Sequence, residues 1–243
     1  MFVIAAPGQG SQKPGFLEPW LVHEEHRATL ESFSQAVGID LGLHGTRSDE
    51  ATIKDTAIAQ PLIVAAGLLS GRALLAGLPA GTPLAFAGHS VGEFTAAALS
   101  GVLSDEEALK LVAARGAAMA VASALTPSGM AAVLGADPEE LLSELEARRL
   151  SAANFNGGGQ IVVAGSREAL SEFAANPPVG TRVIPLQVAG AFHTAFMETA
   201  LHAVSDAASE LAPKDPHHGL YTNRDGSVLT SGRDALASLV SQV

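Results

Sequence analysis

Cysteine is absent from the 243 residues, which excludes disulfides, thiolate zinc sites, iron–sulfur clusters and a cysteine nucleophile. Basic charge is scarce. The 14 Lys and Arg against 25 Asp and Glu give a formal net charge of −11, and nucleic-acid affinity rests on cations that neutralise phosphates. Charged residues make up only 16% and hydrophobic residues 47%, the reverse of an intrinsically disordered chain. No apolar run is found to approach the ~18 residues of a membrane span. The opening MFVIAAPGQG has neither the basic segment nor the apolar core of an export signal. The expectation is a cytoplasmic protein built as one large domain, or as a domain with a smaller insert. His23-Glu24-Glu25-His26 lacks the H-E-x-x-H spacing of a zinc helix, so no metal is expected.

What is present is an alternation of strands and helices. Phe2–Ala6 is wholly apolar and stops at Pro-Gly-Gln-Gly, the pattern of a buried parallel strand. A polar helix is predicted from about residue 18 to 37, and Gln60-Pro61 is read as opening a second helix through Leu75. Leu84–Ala87 is a strand candidate followed by a helix at 92–100. Ser104 and Glu107 form a capping box for a helix to about Ala124. Such alternation implies a parallel sheet covered on both faces. Beyond Thr126-Pro127 the pattern becomes β-α-β-β-α-β: strands at 130–134, 150–155, 160–164 and 181–188, helices at 138–148 and 166–175, and a hairpin turn at Asn156–Gly159. That is the order of a ferredoxin-like domain, so residues 125–192 are read as an insert within residues 1–124 and 193–243. A helix over 194–211, an extended stretch near 220–223 and a helix from Gly232 complete the reading. The last helical pattern has no terminating signal, and the chain is expected to be cut there.

Gly88-His89-Ser90-Val91-Gly92 is a G-x-S-x-G sequence entered by a strand and left by a helix. A nucleophile elbow needs that layout, since its Ser sits on a strained strand-to-helix turn; a Gly-rich turn with a capping Ser is the plainer alternative. Of the histidines after Ser90, His193 follows a strand and the small-residue turn Ala189-Gly190-Ala191, at the junction of the two proposed domains, and is the candidate base. The acids considered between them fall at helix starts or on solvent faces, so a Ser–His dyad is expected instead of a triad. The loop Pro7–Lys13 matches neither a dinucleotide nor a Walker loop. It suits an oxyanion-hole donor, with the Gln9 and Val91 N–H groups in that role. Arg115 lies on a helix rich in Ala and Val, where it either binds a carboxylate with its planar fork or snorkels at the helix edge.

Together, PGQGSQ, GHSVGEF, the ARG of the following helix, NFNGGGQIVVAG and GAFHTAFM resemble, in order and spacing, the malonyl-CoA:acyl carrier protein transacylase family. The resemblance implies an α/β-hydrolase-like parallel-sheet core with an inserted ferredoxin-like small domain. It implies Ser90 as nucleophile, His193 as base, Gln9 and Val91 as oxyanion donors, and Arg115 as anchor of the malonyl carboxylate. Gln242 matches the Gln that orients the histidine region, and Asn154 and Asn156 match positions near the CoA arm. GAFH is similar to the HAFH pattern of malonyl-selective domains, with Phe192 crowding an α-methyl group. Such a contact discriminates by only ~1–3 kcal/mol. Family members continue for several dozen residues past the position of Gln242.

The resemblance further implies malonyl transfer from malonyl-CoA to the phosphopantetheine thiol of an acyl carrier protein, by a monomer without metal or redox cofactor. The alternatives are a serine thioesterase or carboxylesterase, and a truncated, non-catalytic fragment that binds a carrier protein.

Overall fold

A computed structural model describes residues 1–243 throughout. In chain order the elements are β1 (Phe2–Ala6), α1 (Glu24–Val37), α2 (Leu41–Thr46), α3 (Glu50–Lys54), α4 (Thr56–Ala76), β2 (Leu84–Gly88), α5 (Gly92–Leu99) and α6 (Asp105–Leu125). Then come β3 (Ser128–Leu134), α7 (Pro138–Ala147), β4 (Ser151–Gly157), β5 (Gln160–Ser166), α8 (Arg167–Ala175) and β6 (Arg182–Pro185). The chain closes with α9 (Glu198–Ser209), β7 (Gly219–Tyr221), β8 (Val228–Leu229) and α10 (Gly232–Ser241). Two compact units are present: residues 1–117 with 203–242, and residues 118–202 with Val243.

The first unit is α/β. Its sheet has the order β1-β2-β7-β8, with β1, β2 and β7 parallel and β8 returning antiparallel to β7. The register pairs Ala6 with Gly88 and Ala87 with Tyr221. The carboxyl ends of the three parallel strands are therefore level, and the loops leaving them at residues 7–12, 89–91 and 222–224 lie side by side. That end of a parallel sheet is where α/β proteins build their sites.

Helix α4 begins earlier than Gln60-Pro61 suggested. The Asp55 carboxylate accepts the Ala57 N–H at 2.8 Å, and this side-chain cap starts the helix at Thr56. Pro61 then lies inside the helix, forfeiting the one N–H that would have bonded the Ala57 carbonyl. Helices α2 and α3, absent from the sequence reading, are likewise started by side chains: Asp40 accepts from Leu43 N–H and Asp49 from Thr52 N–H, each at 2.8 Å.

The expectation that no segment has the length and apolar character of a membrane span needs correction. Helices α4 and α6, 21 residues each, both have them. Scattered polar residues such as Gln60, Ser70 and Arg72 hide this from a search for unbroken apolar runs. α4 is apolar on all sides because α1, α2, α3 and α5 pack around it, as befits a core helix. It meets α5 closely at two glycines: a Cβ on Gly67 would stand 2.7 Å from the Thr95 hydroxyl, and one on Gly71 would stand 2.5 Å from Leu99.

The second unit carries an antiparallel sheet of order β4-β5-β3-β6, reached through the sequence β-α-β-β-α-β. Val133, Leu141, Leu145, Ile161, Val163 and Phe173 form its buried core between sheet and helices. The hairpin turn is tighter than predicted. Gly157 pairs with Gln160, leaving Gly158 and Gly159 as a two-residue loop with φ of 57° and 75°, the left-handed pair that matches strand twist. Strand β6 stops at Pro185 instead of Val188, with one further bond from the Leu186 N–H to the Met130 carbonyl at 2.9 Å.

Candidate active site

Ser90 sits between the end of β2 and the start of α5 with φ at 51°, a left-handed conformation that costs a non-glycine residue roughly 1–2 kcal/mol. The flanking glycines explain how the chain makes the turn. A Cβ on Gly88 would stand 2.2 Å from the Glu93 nitrogen, and one on Gly92 would stand 2.3 Å from the Ala6 carbonyl oxygen. No side chain fits either place, so the G-x-S-x-G spacing is a steric requirement of packing strand, turn and helix together. The turn is fastened by His89 N–H to Ala6 C=O at 3.0 Å and by Glu93 N–H to Ser90 C=O at 2.9 Å. The start of α5 contributes its dipole beside Ser90, its first N–H groups being taken by the His89, Ser90 and Val91 carbonyls.

The loop after β1 is pinned by its side chains. The Gln12 amide oxygen accepts the Gly10 N–H at 2.8 Å, while its nitrogen donates to the Ile53 carbonyl at 2.9 Å. Gln9 Nε2 donates to the Thr56 hydroxyl at 3.4 Å. Gln9 is thereby held next to the start of α4 through its side chain. Val91, 1% exposed, follows Ser90 directly.

Arg115 is the largest fully buried side chain of the protein, 1% exposed. Its guanidinium donates to Gln60 Oε1 at 2.7 Å and to Ser90 Oγ at 3.4 Å, and lies over the Phe94 ring at 5.7 Å. Gly116 makes this reach possible, since a Cβ there would stand 2.8 Å from the Thr56 carbonyl. Burial pushes the guanidinium pKa down to about 10, and the negative charge of Glu93 works against that shift. The group is cationic at neutral pH, and its Nε is buried without a hydrogen-bond partner. A buried, half-satisfied cation beside a serine hydroxyl has hydrogen-bonding capacity to offer an anion.

Glu93 was not anticipated from the sequence. It is 5% exposed, its Oε1 accepts the Asn223 N–H at 2.7 Å, and the Asn223 Oδ1 in turn accepts the Ser90 N–H at 3.1 Å. Burial raises the Glu93 pKa, while the Asn223 N–H, the Thr222 hydroxyl, Arg115 and Arg224 pull it back. An acid standing alone in the apolar helix GEFTAAAL is the signal that could have found it. Asn223 and Gln60 offer no comparable signal.

The chain matches the acyl transferase domain family over residues 2–233. It is 48% identical to the malonyl CoA-acyl carrier protein transacylase of Mycobacterium bovis, over 100% of this chain and 81% of that one. The crystal structure of MCAT from Mycobacterium tuberculosis superimposes with a TM-score of 0.95 at 48% identity, over 99% of this chain and 80% of that chain. A malonyl-transacylase solved with its type II polyketide acyl carrier protein gives a TM-score of 0.89 at 28% identity, over 99% and 80%. The chain belongs to the malonyl-CoA:acyl carrier protein transacylase family.

Of the residues that the family resemblance singled out, Gln9, Ser90, Val91 and Arg115 lie in the first unit, at the carboxyl ends of its strands and on the helices against them. Gln242 lies at the end of α10 in the same unit, its N–H bonded to the Ser238 carbonyl at 3.2 Å. The second unit holds the others. Asn154 and Asn156 are on β4, with Asn156 Nδ2 donating to Gln160 Oε1 at 2.7 Å across the hairpin. Phe192 is buried, and His193 is left-handed with φ at 60°.

Proposed function

We propose that this chain transfers the malonyl group of malonyl-CoA to the phosphopantetheine thiol of an acyl carrier protein through a malonyl-serine intermediate, in a ping-pong reaction that supplies fatty-acid or polyketide synthesis. The observation that carries this reading is the buried Arg115 guanidinium 3.4 Å from Ser90 Oγ. Ser90 Oγ attacks the thioester carbonyl with His193 as base. The oxyanion is received by the Gln9 and Val91 N–H groups, one such donor being worth roughly 3 kcal/mol in other enzymes. The CoA thiol leaves with the proton that His193 took. The carrier's thiol then attacks malonyl-Ser90, His193 again removing the proton, and Ser90 is regenerated. Arg115 binds the free malonyl carboxylate with its planar fork, holding the acyl group in one orientation through both halves.

Gln242 orients the histidine region, and Asn154 and Asn156 line the path of the CoA arm. Phe192 disfavours an α-methyl group, giving preference for malonyl over methylmalonyl by ~1–3 kcal/mol. In this reading residues 1–124 and 193–243 form the catalytic domain, residues 125–192 are its insert, and the protein works as a cytoplasmic monomer without metal or redox cofactor.

The test is intact-mass spectrometry after brief exposure to malonyl-CoA. The wild type is expected to gain one malonyl group and Ser90→Ala none. Arg115→Ala is expected to favour acetyl-CoA over malonyl-CoA. Absence of an adduct from folded wild type, or an adduct on Ser90→Ala, would overturn the assignment.

A further inference from the structure

We propose that Glu93 and Asn223 act as positioning residues for the nucleophile, the Glu93 carboxylate setting Asn223 and the Asn223 side chain holding the Ser90 backbone in its left-handed turn. The inference rests on the reading of Ser90 as nucleophile and adds residues to which that reading gives no part. The path is short and continuous: Glu93 Oε1 accepts Asn223 N–H at 2.7 Å, and Asn223 Oδ1 accepts Ser90 N–H at 3.1 Å. Asn223 lies 133 positions from Ser90, on the loop leaving β7, so the contact joins two strand ends that the sheet sets side by side.

The physical need is local. A serine at φ 51° stays there only when its surroundings over-determine the turn. The flanking glycines remove clashes but do not attract the Ser90 N–H to any place; Asn223 does. Asn223 itself lies on an exposed loop and needs a fixed backbone to aim its side chain. The buried carboxylate of Glu93 supplies this by accepting the loop's N–H, and charge-assisted bonds of that kind are the strong ones. The Thr222 hydroxyl, next along the loop, accepts the Arg224 N–H at 3.2 Å and meets the Ser238 hydroxyl at 3.1 Å, which ties the loop to α10 as well. Burying a carboxylate is costly unless it is hydrogen-bonded, and its position one turn from Ser90 is where such a cost has a use.

The experiment measures the single-turnover rate of malonyl-Ser90 formation, and the KM for malonyl-CoA, in five proteins. These are wild type, Glu93→Ala, Asn223→Ala, the double variant and Glu93→Gln. Each Ala variant is expected to slow acylation about tenfold to a hundredfold with KM within about twofold of wild type, because the acyl anchor Arg115 is untouched. The double variant should be no slower than the slower single one, as for two links of one path. Glu93→Gln keeps an acceptor for the Asn223 N–H, so it should recover most of the rate. Wild-type acylation rates in Asn223→Ala, additive losses in the double variant, or a Glu93→Gln as slow as Glu93→Ala would each overturn the relay. Asn223 is exposed, so its variant remains informative even where Glu93→Ala fails to fold. Failure of the underlying reading looks different: wild type itself would then form no Ser90 adduct.

Discussion

The turns at Ser90 and His193 put a non-glycine residue into the same left-handed region, with φ of 51° and 60°, and are held there by different means. At Ser90 close packing sets the turn, through two glycines whose missing side chains let β1, β2 and α5 close on one another, and the Asn223 side chain adds one bond to the Ser90 N–H. At His193 it is built from hydrogen bonds to the residue two places earlier. The Ser128 hydroxyl accepts the Ala191 N–H at 3.2 Å, and the Thr194 hydroxyl donates to the Ala191 carbonyl at 2.6 Å. Thr194 also accepts the Phe196 N–H at 3.3 Å, starting the short helical turn that follows. A steric lock tolerates no substitution, whereas a hydrogen-bonded one should weaken in steps.

The largest effect is therefore expected at the first turn. Gly92→Ala forces a Cβ to within 2.3 Å of a backbone oxygen, and backbone cannot yield as a flexible side chain would. Overpacking of this kind costs about 3 kcal/mol or more. Denaturant titration should show that loss, and malonyl-Ser90 formation should vanish with it. A Gly92→Ala protein of wild-type stability would show that the turn is not locked by sterics.

The same difference explains what could be read from the chain. A steric lock leaves its mark locally: Gly88, Ser90 and Gly92 fall within five residues, between an apolar strand and an apolar helix, and the sequence analysis found them. Arg115 was found because an arginine among alanines and valines is conspicuous. The hydrogen-bonded lock was not found, since Ser128 stands 63 positions from Ala191 and a serine at a strand start carries no special signal. Glu93 was passed over for a related reason. An acid in the first turn of a helix is ordinary dipole chemistry, which outweighed the signal of a lone acid in an apolar helix, and the fold places this one, 5% exposed, beneath the loop of Asn223. Helices α2, α3 and the start of α4 depend on Asp caps in a polar stretch, where periodicity is weak.

An intermediate effect is expected at the second turn. Ser128→Ala leaves the buried Ala191 N–H without its acceptor, a loss of about 1–3 kcal/mol. The acylation rate should fall through His193 while Ser90 and Arg115 keep their geometry. Ser128→Thr retains the hydroxyl, and a cleft of about 330 Å³ bounded by Ser128, Leu170 and Pro185 has room for the added methyl. Recovery of both stability and rate in Ser128→Thr is the result that a hydrogen-bonded lock requires. Equal damage from the two substitutions would mean that packing around Ser128, and not its hydroxyl, holds the turn.

The smallest effect separates left-handed backbone that serves the site from left-handed backbone that merely ends a helix. Arg149, at φ 56°, is of the second kind. Its N–H bonds the Glu146 carbonyl at 3.1 Å and the Leu150 N–H bonds the Leu145 carbonyl at 2.9 Å, the paired bonds that close a helix around a left-handed residue. Glycine is at ease in that conformation, so Arg149→Gly is expected to stabilise the protein by about 1 kcal/mol with malonyl transfer unchanged. Ser90→Gly should gain a similar amount by relieving the same strain, yet form no acyl adduct. Thermal denaturation beside the mass assay compares the two directly. A gain at Arg149 but none at Ser90 would mean that the elbow glycines and Asn223 have already removed the strain from the Ser90 turn.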